Sequence, residues 1–549
     1  MPPTFTPHST SPIRMKPMSV LHALVLGAAC LATNTLTAQE NKVRWKVFTD
    51  YKAKPDEGTV YHKVVQGDAG SWVALRVKGN DPVIGGADQA QLDRALVAYT
   101  IEGPAEIKVD KTKILWGEGP VAIETIERFG GQFRVIASKP DPENGKLQLL
   151  QQVLSPRGLT GKGAQLLADI PFDQLGKSAE YFKPNMAVGF ATQLSVDSTK
   201  LLIGLSPQST RRSAGCPVFA QVFDKQMKRL WVNTFNPESG VRSFRIVDTR
   251  IDPKGAVWYL VKNVTNPEPK AKEDLGYSFS LYRLDSAGQQ GVVLKLAGKD
   301  FAQDATMDMR PDGSIVVAGI YGDENTARNE SVGVFQCVLD KAAMKFDRFK
   351  LHPLSKRVEK KEEHWQINMV VDRVFCKKNG GTYIVARQSG IETHYVADLS
   401  GKKMPKTEQV DGPLHLFELD ASGERKWYRV FDRMLTYENA VPGMVISLAY
   451  EDVLYLVLND AETNIEKRKQ KQPVDPISAR KDAVLVEIKP DGSDKTKKIL
   501  EGGAYEQLGV MPSQCWRAGP GLVVVAGAEG FGKGKTWPVV FSFSNESKK

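Results

Sequence analysis

Residues 311–318 read Pro-Asp-Gly-Ser-Ile-Val-Val-Ala, a polar turn with a glycine that runs directly into strongly β-forming apolar residues. Between residues 71 and 527 the chain writes this phrase eight times, at intervals of about sixty residues. Before it come Gly70 into Trp72-Val73-Ala74-Leu75, Gly131 into Phe133-Arg134-Val135-Ile136, Lys200 into Leu201-Leu202-Ile203, and Gly255 into Val257-Trp258-Tyr259-Leu260. After it come Gly381 into Tyr383-Ile384-Val385, Asp452 into Leu454-Tyr455-Leu456, and Gly521 into Val523-Val524-Val525. A fixed period of this length, carried by strands rather than helices, is the sequence mark of a β-propeller.

A second phrase sets the phase of the repeat: a strand, an Asp-containing turn, then another strand. It appears as Phe223-Asp224 leading to Trp231, Leu284-Asp285 through Gly288 to Val292, Leu339-Asp340 to Phe346, Leu419-Asp420 through Gly423 to Trp427, and Ile488 through Asp491-Gly492 to Leu500. Asp suits such a turn because its carboxylate accepts its own downstream N–H groups, and Gly because it tolerates positive φ. Each unit then holds four strands, which is one blade. The last unit ends after a third strand, Trp537 to Phe543, and its missing fourth strand has a counterpart at the other end of the chain. Lys42-Val43-Arg44-Trp45-Lys46-Val47-Phe48 repeats the form of Arg425-Lys426-Trp427-Tyr428-Arg429-Val430-Phe431. The expectation is an all-β chain folded as a single eight-bladed propeller, with a strand over 42–49 completing the C-terminal blade and closing two exposed sheet edges. Second strands are expected to begin near 71, 132, 200, 256, 314, 382, 452 and 521. A seven-bladed ring is the alternative, because residues 103–118 fit the repeat worst. Length supports a serial core: single compact cores seldom exceed about 300 residues, and no Pro- or Ser-rich linker divides this chain.

Residues 1–38 carry Arg14 and Lys16, no Asp or Glu, and an apolar run from Val20 to Ala32. That pattern reads as a secretory signal peptide cut after Ala38, with residues 39–549 forming the propeller. Cys30 stands one place too far from Leu26 for a lipobox, so a lipid anchor is not expected. No later apolar run reaches the roughly 20 residues needed to cross a bilayer. The chain has 74 basic and 64 acidic residues, a net charge of +10, falling to +8 without the leader. Interspersed charge of this size reads as a solvated surface, and nucleic acid is not expected as a partner. Four cysteines follow the leader, too few for a disulfide scaffold. They read as packed thiols, with Cys337 and Cys376 the pair most open to bridging.

In a propeller, the connections between second and third strands and between blades share one face. Here that set is long: 77–90, 206–217, 262–278, 321–332, 388–412, 459–482 and the inter-blade run 350–366. Long loops on a rigid scaffold are where binding usually resides. The basic residues on this face are the candidate binding set: Arg211, Arg212, Lys356, Arg357, Lys467, Arg468, Lys469, Lys471, Arg480 and Lys481. The fitting partners are a protein, an envelope glycan or a lipid headgroup.

No catalytic, metal or cofactor set emerges. The five histidines after the leader, His62, His352, His364, His394 and His415, form no close ligand pair. Asp141, Glu143 and Asn144 around Gly145 lack the distal Glu of a calcium loop and read as a hairpin turn. Gly530, Gly532 and Gly534-Lys535-Thr536 miss the spacing of a phosphate loop, and no G-x-S-x-G elbow exists.

Gly380-Gly381-Thr382-Tyr383-Ile384-Val385-Ala386, followed by Leu419-Asp420 to Trp427, resembles the blade phrases of exported β-propeller proteins of Gram-negative bacteria. The resemblance implies a periplasmic or extracellular propeller and specifies no activity; the Trp-Asp signature of WD40 repeats is absent. Two functional expectations follow. One is a non-enzymatic binding or scaffold module acting through the long-loop face. The other is a carbohydrate-active hydrolase or lyase whose site lies at the mouth of the central channel.

Overall fold

The computed structural model describes residues 41–47, 59–66, 71–78, 93–100, 107–108, 121–154, 163–175, 188–207, 217–237, 241, 243–266, 275–323, 331–358, 365–397, 403–437, 445–478, 483–500, 508–519, 522–529 and 536–545. The expected signal peptide lies outside them. After β1 (Asn41–Val47), sheet 1 comprises β2 (Thr59–Gln66), β3 (Ser71–Lys78), β4 (Asp93–Thr100) and the short β5 (Ile107–Lys108). Sheet 2 holds β6 (Ala122–Phe129), β7 (Gln132–Asp141), β8 (Lys146–Leu154) and β9 (Gln165–Pro171), and sheet 3 holds β10 (Val188–Leu194), β11 (Lys200–Pro207), β12 (Val218–Asp224) and β13 (Arg229–Phe235). In sheet 4 are β14 (Ser243–Ile251), β15 (Val257–Val264), β16 (Tyr277–Asp285) and β17 (Gly288–Val293); in sheet 5, β18 (Phe301–Met309), β19 (Ile315–Gly322), β20 (Ser331–Asp340) and β21 (Lys345–Val358). Sheet 6 joins β22 (Trp365–Cys376), β23 (Thr382–Ala397), β24 (Lys403–Leu419) and β25 (Arg425–Phe431) with β26 (Leu435–Tyr437) and, after β27 (Ile446–Tyr450) and β28 (Val453–Asn459), with β29 (Ile477–Ser478). Sheet 7 is β27, β28, β30 (Ala483–Ile488) and β31 (Asp494–Leu500); sheet 8 is β32 (Leu508–Gly519), β33 (Leu522–Glu529), β34 (Thr536–Asn545) and β1.

The described residues thus form a propeller-like all-β array of seven four-stranded sheets and one of six strands. The repeated apolar phrases are the second strands. They are largely apolar because both of their faces are buried. On β19, Ile315 and Val317 enter the core between sheets 4 and 5, while Val316, Ala318 and Ile320 enter the core between sheets 5 and 6. On β23, Ile384 and Ala386 face sheet 5, and Tyr383 and Val385 face sheet 7. Cores of this kind fill every interface from sheets 1 and 2 through to sheets 7 and 8.

The turns follow the same economy of residue types. Asp420 accepts the backbone N–H groups of Ser422 (2.8 Å) and Glu424 (3.0 Å), with Gly423 at φ +86°. Asp491 accepts the Ser493 N–H at 2.8 Å in the same manner. Asp141 likewise closes the β7–β8 hairpin onto Asn144.

First strands pack one beside the next: β2 with β6, β6 with β10, β10 with β14, β14 with β18, β18 with β22, and β22 with β27. Sheet 7 meets β32, and β32 meets β2. The outer edge of sheet 8 is supplied by β1, with Val43 opposite Phe543 and Val47 opposite Val539.

Three expectations are corrected. Residues 388–397 and 403–412, expected within an irregular loop, are the outer parts of β23 and β24. Segment 459–482 contains the helix α1 (Glu462–Lys469) and β29, and β21 carries ordered strand to Val358. Cys337 and Cys376 are both free, as is Cys515. The first two face different interfaces, Cys337 between sheets 4 and 5 and Cys376 between sheets 5 and 6, so they cannot bridge.

Val43, buried in the core between sheets 7 and 8, tests the role of β1. Val43→Asp places an unpaired carboxylate in that core and is expected to destabilise the protein by about 3 kcal/mol. Val43→Ala is expected to lose about 1 kcal/mol. Urea unfolding of the two variants checks the difference.

Candidate functional site

Two places collect side chains that do more than fill cores: the layer of first strands and the long-loop face of sheet 6. A β-bulge recurs in the first strands, between Tyr61 and Lys63, Ile123 and Thr125, Ile246 and Asp248, Ala302 and Asp304, and Val371 and Arg373. Bulges re-aim side chains and are common beside functional sites. Here the residue after each bulge is polar or charged: Lys63, Thr125, Asp248, Asp304 and Arg373.

Most of these groups tie one sheet to the next. The Asp304 carboxylate accepts the Val371 N–H at 2.9 Å, and Asp308 accepts the Cys376 N–H at 2.8 Å. Asp248 accepts the Thr306 hydroxyl (3.0 Å) and the Met307 N–H (3.3 Å), while Arg250 donates to Met307 O at 2.9 Å and to Asp248 and Asp308. Elsewhere round the layer Lys63 pairs with Glu127 at 2.7 Å, Thr192 donates to the same Glu127, and Arg517 donates to Ala449 O at 3.1 Å. Asn459 both donates to and accepts from the Val510 backbone, at 2.9 and 2.8 Å.

The chemistry open to this layer is narrow. Burial pushes the Cys376 thiol up, reinforced by Asp308, and pushes Cys515 up to about 12, so neither is a thiolate nucleophile near neutrality. Burial also raises the Asp304 carboxyl, against the opposing pull of the Val371 N–H and Lys262. Among the described residues no group of three His, Cys, Asp or Glu is placed to hold a metal ion.

On the long-loop face, β23 and β24 run as a paired arm from Thr382 opposite Leu419 out to Ala397 opposite Lys403. Among the described residues β22 pairs with this arm as far as Trp365, opposite Glu392. The base is fixed by the buried Arg387, which bonds Asp372 at 2.8 Å and also Asp411. Alongside, β26 pairs with β24 and β29 runs parallel to β26, burying Leu435 and Ile477. The outer arm exposes Tyr395 (61%) and Met404 (47%).

The predicted basic residues separate. Lys467, Arg468 and Lys469 share the helix α1, yet each has an acidic partner: Asp475, Asp460 and Glu466 respectively. Arg468 is turned inward, donating to Asp432 O at 2.9 Å and lying 4.3 Å over the Phe431 ring. Lys471 is exposed, on a residue with φ +56°. Lys356 and Arg357 lie at the outer end of β21, with side chains outside the described residues, where Arg211, Arg212, Arg480 and Lys481 also fall. Sequence reasoning missed the first-strand arginines Arg128, Arg250, Arg373 and Arg517. Their signal is a basic residue within about ten positions before a turn phrase, in a strand that mixes apolar and polar residues.

One histidine is buried with both ring nitrogens engaged. His415 meets Tyr428 Oη through Nδ1 at 2.8 Å and Gln388 through Nε2 at 3.2 Å, and burial pushes it down to about 4.

No protein-family profile matches the chain, and no curated protein does. Among solved structures it is similar to prolyl oligopeptidase B from Galerina marginata, with 9% identity over 86% of this chain and 55% of that one and a TM-score of 0.36. The chain therefore spans about half the length of that protein. It is also similar to the Synechocystis apocarotenoid oxygenase, with 14% identity over 84% of this chain and 94% of that one at a TM-score of 0.30. A protein of unknown function from Dyadobacter fermentans matches with 8% identity over 91% and 99% of the two chains at 0.29. Similarity at this level carries no argument about activity.

Arg468→Ala leaves the buried Asp460 carboxylate without its cation and is expected to cost about 3 kcal/mol, whereas Lys469→Ala, on an exposed pair, should change stability by less than about 0.5 kcal/mol. Denaturant titration separates them. For His415 the unfolded chain binds a proton below about pH 6.5, and the folded chain only near pH 4. Stability should therefore fall as pH drops through that window and be insensitive to this residue above it. Wild type is expected to lose about 3 kcal/mol more than His415→Gln between pH 7 and pH 4.

Proposed function

We propose that the eight sheets are the blades of one closed propeller ring, and that this ring is an exported, non-enzymatic binding module whose contact surface is the long-loop face centred on the β23–β24 arm. Closure is supported by the burial of strands on both their faces and by the meeting of β32 with β2. The observation that carries the binding reading is the arm itself. A loop with no partner to meet has no need of a paired β-ribbon, two accessory strands and a helix anchored by Arg387, Leu435, Ile477 and Arg468. Such a rigid projection, with Tyr395 and Met404 exposed, offers an aromatic and apolar contact surface at low ordering cost. The partner class is a protein or another cell-envelope component.

The competing reading, a carbohydrate-active hydrolase or lyase at the mouth of the central channel, draws on Asp304, a carboxyl raised by burial. Against it, Asp304 already accepts the Val371 N–H, and the neighbouring Asp248 and Asp308 are held by Arg250. A general acid needs a proton free to move to a substrate.

Replacing residues 391–409 with an Asn-Gly turn is expected to leave the protein folded by circular dichroism. Affinity capture from a detergent extract of the native envelope, read by mass spectrometry, should then lose the component that wild type retains in stoichiometric amount. An identical retained set from both proteins contradicts the reading.

A further inference from the structure

Four first strands, taken from alternate sheets, carry an arginine toward their short-turn ends: Arg128 on β6, Arg250 on β14, Arg373 on β22 and Arg517 on β32. Arg128, Arg250 and Arg517 pair with Phe133, Trp258 and Val523, each next to the final pair of its hairpin. Arg373, opposite Val385, lies two residues further in from that level and so shares its strand face with it.

These groups reach one another across the ring. The Arg373 guanidinium acts electrostatically on Cys515 of β32 and feels Asp248 and Arg250 of β14. Cys515 in turn feels both Arg373 and Arg517, and Cys376 feels Arg250 and Arg310. Sheets 4, 6 and 8 are not neighbours in strand order, yet charged groups of their first strands lie within electrostatic reach of one another.

Most of the carboxylates nearby are already engaged, although Asp372 keeps a buried Oδ2 without a hydrogen-bond partner and acts on Arg373 at a distance. Arg250 holds Asp248 and Asp308, Arg387 holds Asp372, and Asp312 is folded onto Ser314 in its own turn. The Arg250 guanidinium thus takes both Asp248 and Asp308, and among the described residues Arg310, Arg373 and Arg517 make no salt bridge. Among the described residues the Arg373 guanidinium has no hydrogen-bond partner, and Arg517 has only the Ala449 carbonyl.

Arg310 is the sharpest case. It is 8% exposed, and its Nε and Nη2 are buried without an acceptor. The corresponding turn residue of sheet 6 is Lys377, whose ammonium meets Glu418 at 2.7 Å. In sheet 5 the position of Glu418 is taken by Val338, since Val316 pairs with Val338 as Tyr383 pairs with Glu418. Among the described residues no carboxylate of the sheet makes a salt bridge to this cation, and Asp312 of the same turn acts on it only at a distance. Removing a guanidinium from water without a partner is costly, and low-dielectric walls focus the positive field on whatever enters. A planar fork with free N–H groups matches a carboxylate or phosphate oxygen pair.

We propose that the short-turn end of the central channel is a binding site for a carboxylate- or phosphate-bearing anion, held by Arg373 and Arg517 with Arg310 flanking it beside Cys376. The site is at the opposite end of the ring from the arm and does not depend on the arm's role.

The test is calorimetric titration and thermal unfolding of the full chain with inorganic phosphate and, separately, with acetate, at constant ionic strength set by sodium chloride. Wild type is expected to bind one or both anions saturably, near one per chain, with a matching rise in Tm. Response to phosphate alone identifies a phosphoryl group as the ligand chemistry; response to acetate identifies a carboxylate. In Arg373→Gln the midpoint should move at least tenfold higher, and Arg517→Gln, should the first variant fail to fold, serves the same comparison. The variant with residues 391–409 replaced should bind as wild type does. Absence of saturable binding by either anion, or an unchanged midpoint in the arginine variants, overturns the proposal.

Discussion

The structure depends on strands that are apolar on both faces. A sheet with one oily face can be satisfied by a single partner layer; a sheet with two needs a neighbour on each side, and each neighbour has the same need. Adjacent residues show it: Val316 and Val317 are both fully buried, yet they belong to different cores. Leu201 and Leu202 divide in the same way between the interfaces on either side of sheet 3. A stack of such sheets has two unsatisfied ends unless it curves back on itself. Val524, fully buried and pointing away from the core that Val523 and Val525 share with sheet 7, is what a closed stack requires. This constraint explains why the chain can exceed the size of a single compact core: its interior grows by interfaces rather than by radius.

Once the sheets radiate, their first strands crowd together, and those strands carry unpaired backbone groups on one edge. The polar residues after the bulges answer that need. Asp304 and Asp308 cap N–H groups of β22, Asp248 caps Met307, and Arg250 takes the Met307 carbonyl. The acidic groups of the layer are thereby committed to holding sheets together. Arg373 and Arg517, by contrast, make no salt bridge among the described residues, and Arg517 donates to the Ala449 carbonyl.

Legibility in the sequence tracked how local the cause was. The run Ile315 to Ala318 declares a buried strand because burial on both faces removes every polar residue. Asp420 and Asp491 declare their turns because a carboxylate closing on N–H groups two to four residues ahead is a short-range event. The match between Lys42–Phe48 and Arg425–Phe431 was readable because both segments intersperse basic residues with apolar ones, as outer strands that pair with the third strand of a sheet do. The arm was not readable. Gly390, Pro405, Gly412 and Pro413 punctuate it like a loop, and its stability comes from Arg387, Asp411 and strands far along the chain. Helix α1 is short and polar, secured by Asn464 and Arg468 to Asp460 rather than by an apolar stripe. The basic run at 467–471 therefore looked free in sequence while most of it was paired in space. The first-strand arginines were hidden for a related reason, since which face a first-strand residue occupies depends on bulges that shift the register.

The most direct measurement of ring closure is hydrogen–deuterium exchange on Val524→Asp, compared with wild type. Val524 sits on β33, and a closed ring would give its side chain no place to point except toward sheet 1. The account predicts that protection falls in peptides covering β2 and β3, residues 59–78, together with those covering 522–545, although the two stretches are separated by almost the whole chain. Loss confined to sheet 8 and its neighbour sheet 7, with residues 59–78 protected as in wild type, would contradict it.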